Sequence, residues 1–109
     1  MASTRKVLGQ SAPAAATSTT LYTCPAVTET VVSSIIACNR SATPTAIRVS
    51  VDVNGAGDSD ADYIAYDLPI GANETIALGH GVTLDASDLI RVYNTLATVT
   101  FSVFGQENT

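Results

Sequence analysis

The sequence predicts an all-β protein: a single antiparallel β-sandwich, jelly-roll-like, of seven or eight strands with an extended N-terminal arm. Three observations predict it. Apolar and polar residues alternate along several short segments, the period-two signature of half-buried strands. Clusters rich in Gly, Pro, Asn and Asp separate these segments, which recur every 10 to 13 residues. No segment carries a convincing helical pattern. A length of 109 residues suits one domain, and an apolar content of 46% is enough for a core.

Residues 1–16 read as the arm and residues 17–109 as the sandwich domain. The arm includes "QSAPAAATSTT", a low-complexity stretch without a periodic apolar face. Such a segment is disordered or ordered by packing on a neighbour. "TTLYT" (19–23) is the first expected strand, with a turn at Pro25.

"TETVVSSIIACN" (28–39) is ambiguous, because Val31, Val32, Ile35 and Ile36 fall at helical spacing. Its β-branched residues and the mid-segment Ser33 and Ser34 favour a strand, with a bulge as an option. It would pair with 19–24 as a hairpin.

"AIRVSVDV" (46–53) alternates cleanly, with Ile47, Val49, Val51 and Val53 on one face and Arg48, Ser50 and Asp52 on the other. "YIAYDLPI" (63–70) places Ile64, Tyr66, Leu68 and Ile70 together, with Pro69 at a strand end or edge. "ETIAL" (74–78) buries Ile76 and Leu78, and "LIRVY" (89–93) buries Ile90 and Val92. "TVTFSVF" (98–104) buries Val99, Phe101 and Val103 and turns Phe104 outward.

Charge narrows the function classes. Arg5, Lys6, Arg40, Arg48 and Arg91 carry all the positive charge, and the formal net charge is −5. Without a basic stripe to neutralise phosphates, neither nucleic acid nor an anionic membrane is an expected partner. "MASTRKVLGQSAPAAA" lacks the apolar run of about 7 or more residues of an export signal. "VVSSIIA" is far short of the roughly 18 residues of a spanning helix. The expectation is a soluble chain made in the cytosol.

"DVNGAGDSDAD" (52–62) resembles a cation loop on paper. A twelve-residue calcium loop needs ligands at positions 1, 3 and 5, Gly at 6 and Glu at 12. Counting from Asp58, Asp60 and Asp62 fit, but Tyr63 takes the glycine position and Pro69 the glutamate position. A solvated connector between strands is the simpler reading.

His80, the single histidine, reads as a turn residue in "GHG". Asp85 and Asp88 could be imagined as an acid–base pair but suit a turn before a strand. No catalytic residue, cofactor site or metal site is expected. Cys24 and Cys38 allow one disulfide, but the expected hairpin would hold them about 30 Å apart. Free thiols are the expectation, with a bond between subunits as the alternative. "NRS" (39–41) and "NET" (73–75) match the glycosylation pattern, which means little without an export signal.

Three longer stretches carry a resemblance: "LYTCPAVTETVVSSIIACNRSATPTAIRVSV", "YIAYDLPIGANETIALGHGVTLDASDLIRVY" and "TVTFSVFGQE". Over residues 19–107 the chain resembles a family of small structural proteins predicted in tailed bacteriophages. Cys24 stands where that pattern has an aliphatic residue, and "GHG" around His80 also departs from it.

The resemblance implies a non-enzymatic virion component with a jelly-roll-like domain, assembled in the host bacterial cytoplasm. It implies a multi-copy tail or neck component, such as a collar or fibre-associated subunit, or alternatively a capsid decoration (cement) protein. The expected partners are copies of itself, as a trimer or ring, and other virion proteins held through the N-terminal arm. A host-glycan-binding module is a competing class. It needs exposed aromatics, for which only Tyr22, Tyr63, Tyr66 and Tyr93 are available. A hydrolytic enzyme is the least supported class.

Overall fold

The computed structural model describes residues 2–57, 59–79 and 81–109. Among the described residues there are nine strands: β1 (Ser3–Ser11), β2 (Thr19–Thr23), β3 (Glu29–Asn39), β4 (Thr45–Asp52), β5 (Tyr63–Ile70), β6 (Thr75–Leu78), β7 (Thr83–Leu84), β8 (Leu89–Asn94) and β9 (Val99–Asn108). They form two antiparallel sheets. Sheet A runs β1-β9-β3-β6, with β7 also paired to β3, and sheet B runs β2-β8-β4-β5. β6 and β7 lie along the same long strand, so together they act as one interrupted strand. The chain therefore crosses between sheets at almost every connection, which is the wrapping of a jelly roll.

The core lies between the sheets. Phe101, Val99 and Val103 of β9 and Ile35 of β3 meet Ile47 and Val49 of β4, Ile70 of β5, and Ile90 and Val92 of β8. All are at most 1% exposed. Each sits at an inward position of an alternating strand, so the period-two pattern directly supplies the interior.

Three expectations need correction, and the bulged strand that 28–39 allows is present. Residues 3–11, read as part of an arm without a core, are a strand of the domain itself. β1 pairs along its length with β9 at the edge of sheet A. Its apolar pattern is weak because the backbone ladder and an ion pair from Lys6 to Glu107 (2.8 Å) hold it, with Leu8 packed against the core. Gly9 permits the closest approach: a Cβ there would sit 2.2 Å from the Leu21 carbonyl oxygen of β2.

The hairpin of 19–24 with 29–38 does not form. β2 pairs with β8 and β3 with β9, β6 and β7, so the turn at Pro25 joins the two sheets.

The helical spacing in 28–39 comes from a bulge. Ser33 is the extra residue between the Val32–Gly105 and Ser34–Phe104 pairs, and its hydroxyl donates to the Phe104 carbonyl at 3.0 Å. The bulge shifts the side-chain phase, so Val32 and Ile35 both point inward. Gly105 opposite it has no room for a side chain, because a Cβ would lie 2.3 Å from the Val31 carbonyl oxygen.

Finally, the polar face of β4 is not uniformly solvated, and its apolar face ends early. Ser50 and Asp52 are buried, while Val53 lies in a 3-10 turn at Val53–Gly55 and is 58% exposed.

Candidate functional site

Sheet B's outer face carries the unusual chemistry. Asp52 ends β4, and its carboxylate folds the acidic loop back over the sheet. Both of its oxygens accept the Gly57 N–H (3.2 and 3.0 Å), and Arg91 Nε donates to Oδ2 at 3.1 Å. The carboxylate is desolvated but satisfied, as a buried charge must be.

Asp62 accepts the Ser59 N–H in a capping box over the short turn Asp60–Asp62. The two carboxylates thus organise backbone N–H groups, the behaviour of turn-forming aspartates. Among the described residues, no three metal-ligating side chains come together. Asp58, the first position of the imagined calcium loop, lies outside the described residues, as does His80.

Beyond the loop, the same face holds an aromatic array. The sequence alternation puts Tyr66 on the inward face with Ile64 and Ile70, but a bulge overturns that placement. Tyr66 and Asp67 together oppose Arg48, between the Ile47–Leu68 and Val49–Ala65 pairs. Asp67 takes a left-handed conformation (φ 50°), which Asp tolerates better than most residues. Tyr66 is thereby turned outward and left 59% exposed.

The Arg48 guanidinium carbon then lies 4.2 Å from the Tyr66 ring centre and 4.4 Å from that of Tyr93 on β8. Arg48 Nε also donates to Asp67 Oδ1 at 2.7 Å, and this bond holds its proton more tightly than usual. Tyr63 meets Tyr66 edge to face, with centroids 4.9 Å apart and planes at 87°. Asp60, Tyr63 and Tyr66 line a shallow hollow of about 400 Å³. Three of the four candidate tyrosines are thus gathered on one face.

Tyr22, the fourth, is buried between the sheets. Its hydroxyl donates to Glu107 Oε2 and shares a 2.9 Å hydrogen bond with Thr30. Burial first, and the Glu107 carboxylate second, push this phenol's pKa well upward. Lys6 and then Tyr22 hold the Glu107 carboxyl below the ordinary range. The network ties β1, β9, β2 and β3 together.

Other candidates resolve as structure. Asp88 accepts from Asn54 N–H (3.1 Å) and Asp85 N–H (3.0 Å), and Asp85 accepts from Ala86 N–H (2.8 Å), as turn formation requires. Asn39 is 1% exposed, and its amide donates to the Thr43 and Gly71 carbonyls at 3.0 Å.

Cys24 is buried, with its sulfur 3.2 Å from the Thr30 hydroxyl oxygen, while Cys38 is half-buried; both thiols are free. Their separation has a different cause from the hairpin first expected. Cys38 lies eight residues along β3 from Thr30, about 26 Å at strand rise.

Sequence reasoning missed Asn94, which is fully buried. Its Oδ1 accepts from Thr98 and Val99 N–H, and its amide donates to the Pro13 and Ala14 carbonyls at 3.3 and 3.4 Å. It ties the β1–β2 connection to the turn before β9, a role without a local sequence signal.

Sheet A's outer face is different. Val31, Ser33, Phe104 and Gly105, with Arg5, Lys6 and Gln106, line a mostly apolar groove of about 370 Å³. Val7 and Val31 remain 51% and 47% exposed. The outward Phe104 that the sequence predicts helps form this groove. No helix among the described residues is long and apolar enough to cross a membrane. Comparison with family models, curated proteins and solved structures finds no match for this chain.

Proposed function

We propose that this chain is a non-enzymatic structural protein of a tailed-bacteriophage particle, a multi-copy component acting through protein–protein contacts at the tail or neck. The observation that carries the reading is the apolar groove on sheet A, with Phe104 and Val31 among its lining residues. A chain with only 14% charged residues leaves such a face poorly shielded, and burying it against another subunit removes it from water. The sequence resemblance over residues 19–107 supports the same reading. So does the jelly-roll wrapping, which recurs in viral capsid domains, as an association by fold alone.

The N-terminal segment keeps a contact role in this proposal, in changed form. Residues 3–11 offer the outer edge of β1 to another virion protein, rather than a loose arm. A capsid decoration protein is the alternative placement. Mass spectrometry and reconstruction of particles carrying the protein test the reading. It expects many symmetric copies with sheet A's groove covered. A chain found in infected cells but missing from purified particles contradicts it.

A further inference from the structure

We infer that the tyrosine face of sheet B is a contact site for neutral saccharide, formed by Tyr66 and Tyr63 with the Asp60 carboxylate at its rim. The inference does not rest on the particle assignment. Its starting point is an exposed aromatic array held in place by its surroundings. Tyr66 is 59% exposed, yet it is stacked on Arg48 and braced edge to face by Tyr63. Arg48 is itself fixed by Asp67 and by the Tyr93 ring. Ring surface displayed in a fixed position loses little conformational freedom when a ligand lands on it. Three tyrosines on one face, two of them around a hollow with a carboxylate, form an amphipathic surface with adjacent polar acceptors.

The local chemistry selects the ligand class. Asp60 lines the hollow, and the one cation beside it, Arg48, is already paired with Asp67 at 2.7 Å, so in a chain of net charge −5 phosphate, sulfate and acidic sugars find no free partner there. An ammonium group would seek the gap between facing rings, but Arg48 already fills the space between Tyr66 and Tyr93. Tyr63 and Tyr66 are in contact at 4.9 Å, so no second gap of that kind lies between them. What is left is ring surface beside carboxylate oxygens. A neutral pyranose matches both: its C–H face covers an aromatic ring while its hydroxyls donate to a carboxylate, a strong charge-assisted bond. The hollow is shallow and open, so the contact is weak per site.

The test is NMR titration of the full chain with neutral sugars, each to about 20 mM, in the range of millimolar affinities. The probes are the methyl glycosides of glucose, galactose, mannose, rhamnose and N-acetylglucosamine, with maltotriose and chitotriose. Choline is the cation control.

At least one saccharide is expected to shift the Tyr63 and Tyr66 ring signals with millimolar affinity. Tyr66→Ala should weaken that binding by about tenfold or more. Tyr22→Phe, a change inside the core, should leave it intact. Tyr66→Leu gives a second variant that retains apolar bulk, and each variant's amide spectrum reports whether it is folded. Three results each overturn the proposal: a silent sugar panel, binding that persists unchanged in Tyr66→Ala and Tyr66→Leu, or shifts with choline alone.

Discussion

Asp52 and Arg91 meet diagonally across β4 and β8, with Arg91 Nε donating to Asp52 Oδ2 at 3.1 Å on a carboxylate that is itself fully buried. The same carboxylate caps Gly57, so one side chain anchors the acidic loop to the sheet. Asp52→Ala removes these bonds together and leaves the loop's backbone donor without its partner. The expected loss is about 2–4 kcal/mol, in the range for breaking a desolvated polar network. A urea unfolding midpoint unchanged from wild type would contradict this role for Asp52.

Glu107 gives a pH dependence with a defined sign. Lys6 first and Tyr22 second lower its folded pKa, so its contribution is present above the ordinary carboxylate value of ~4.3. That contribution is lost as pH falls below that value and through the lowered folded one. Glu107→Gln should therefore destabilise the protein near neutral pH and show a shallower fall in stability on acidification. Lys6→Ala should cost less, about 1 kcal/mol or below, because its ammonium is half exposed. Parallel unfolding curves at several pH values check both. Identical acid profiles for wild type and Glu107→Gln would contradict the account.

The acidic loop is expected to bind no structural cation at neutral pH. Asp52 and Asp62 already accept from Gly57, Arg91 and Ser59. Melting in excess EDTA and in millimolar calcium should therefore agree. A bound ion at ~100-fold excess over its Kd would add roughly 2.7 kcal/mol, enough to see. A calcium shift abolished by Asp60→Asn would contradict the prediction.

Both cysteines should be free in the purified, non-reduced chain. Alkylation should reach half-buried Cys38 before Cys24, which is 1% exposed and sits against Thr30. Non-reducing peptide mapping checks this. A Cys24–Cys38 peptide pair would contradict the placement of β3 along sheet A.

The strands with a clean period were legible. Residues 63–70 are β5 at both boundaries, and Ile47, Val49, Phe101 and Val103 point inward as their alternation requires. Features set by pairing across the fold were not. β1 contains few apolar residues, and its order comes from β9 and Glu107, nearly a hundred residues away. Whether β2 and β3 share a sheet is a matter of topology, which a tight turn at Pro25 does not reveal.

The tyrosine face is hidden by two bulges in β5: the one at Asp67 turns Tyr66 outward, and the one at Ile64 returns Tyr63 to the same face. Without the bulge at Asp67, strict alternation places Tyr66 with Ile70. Alternation alone likewise leaves Asp52 on the solvated face, because its burial depends on a loop folding back over it.

The outer face of sheet A, at Phe104 and Val31, is the proposed assembly surface. Light scattering of the full chain at high concentration tests it most directly, compared with Phe104→Glu and Val31→Glu. Shortening the chain to residue 17 would be a poor comparison, because it strips β1 from the sheet. The expected result is a wild-type homo-oligomer of fixed size, a trimer or a ring, and folded monomers for both charged variants. A wild-type chain that stays monomeric at every concentration, or an oligomer untouched by either glutamate, would contradict it.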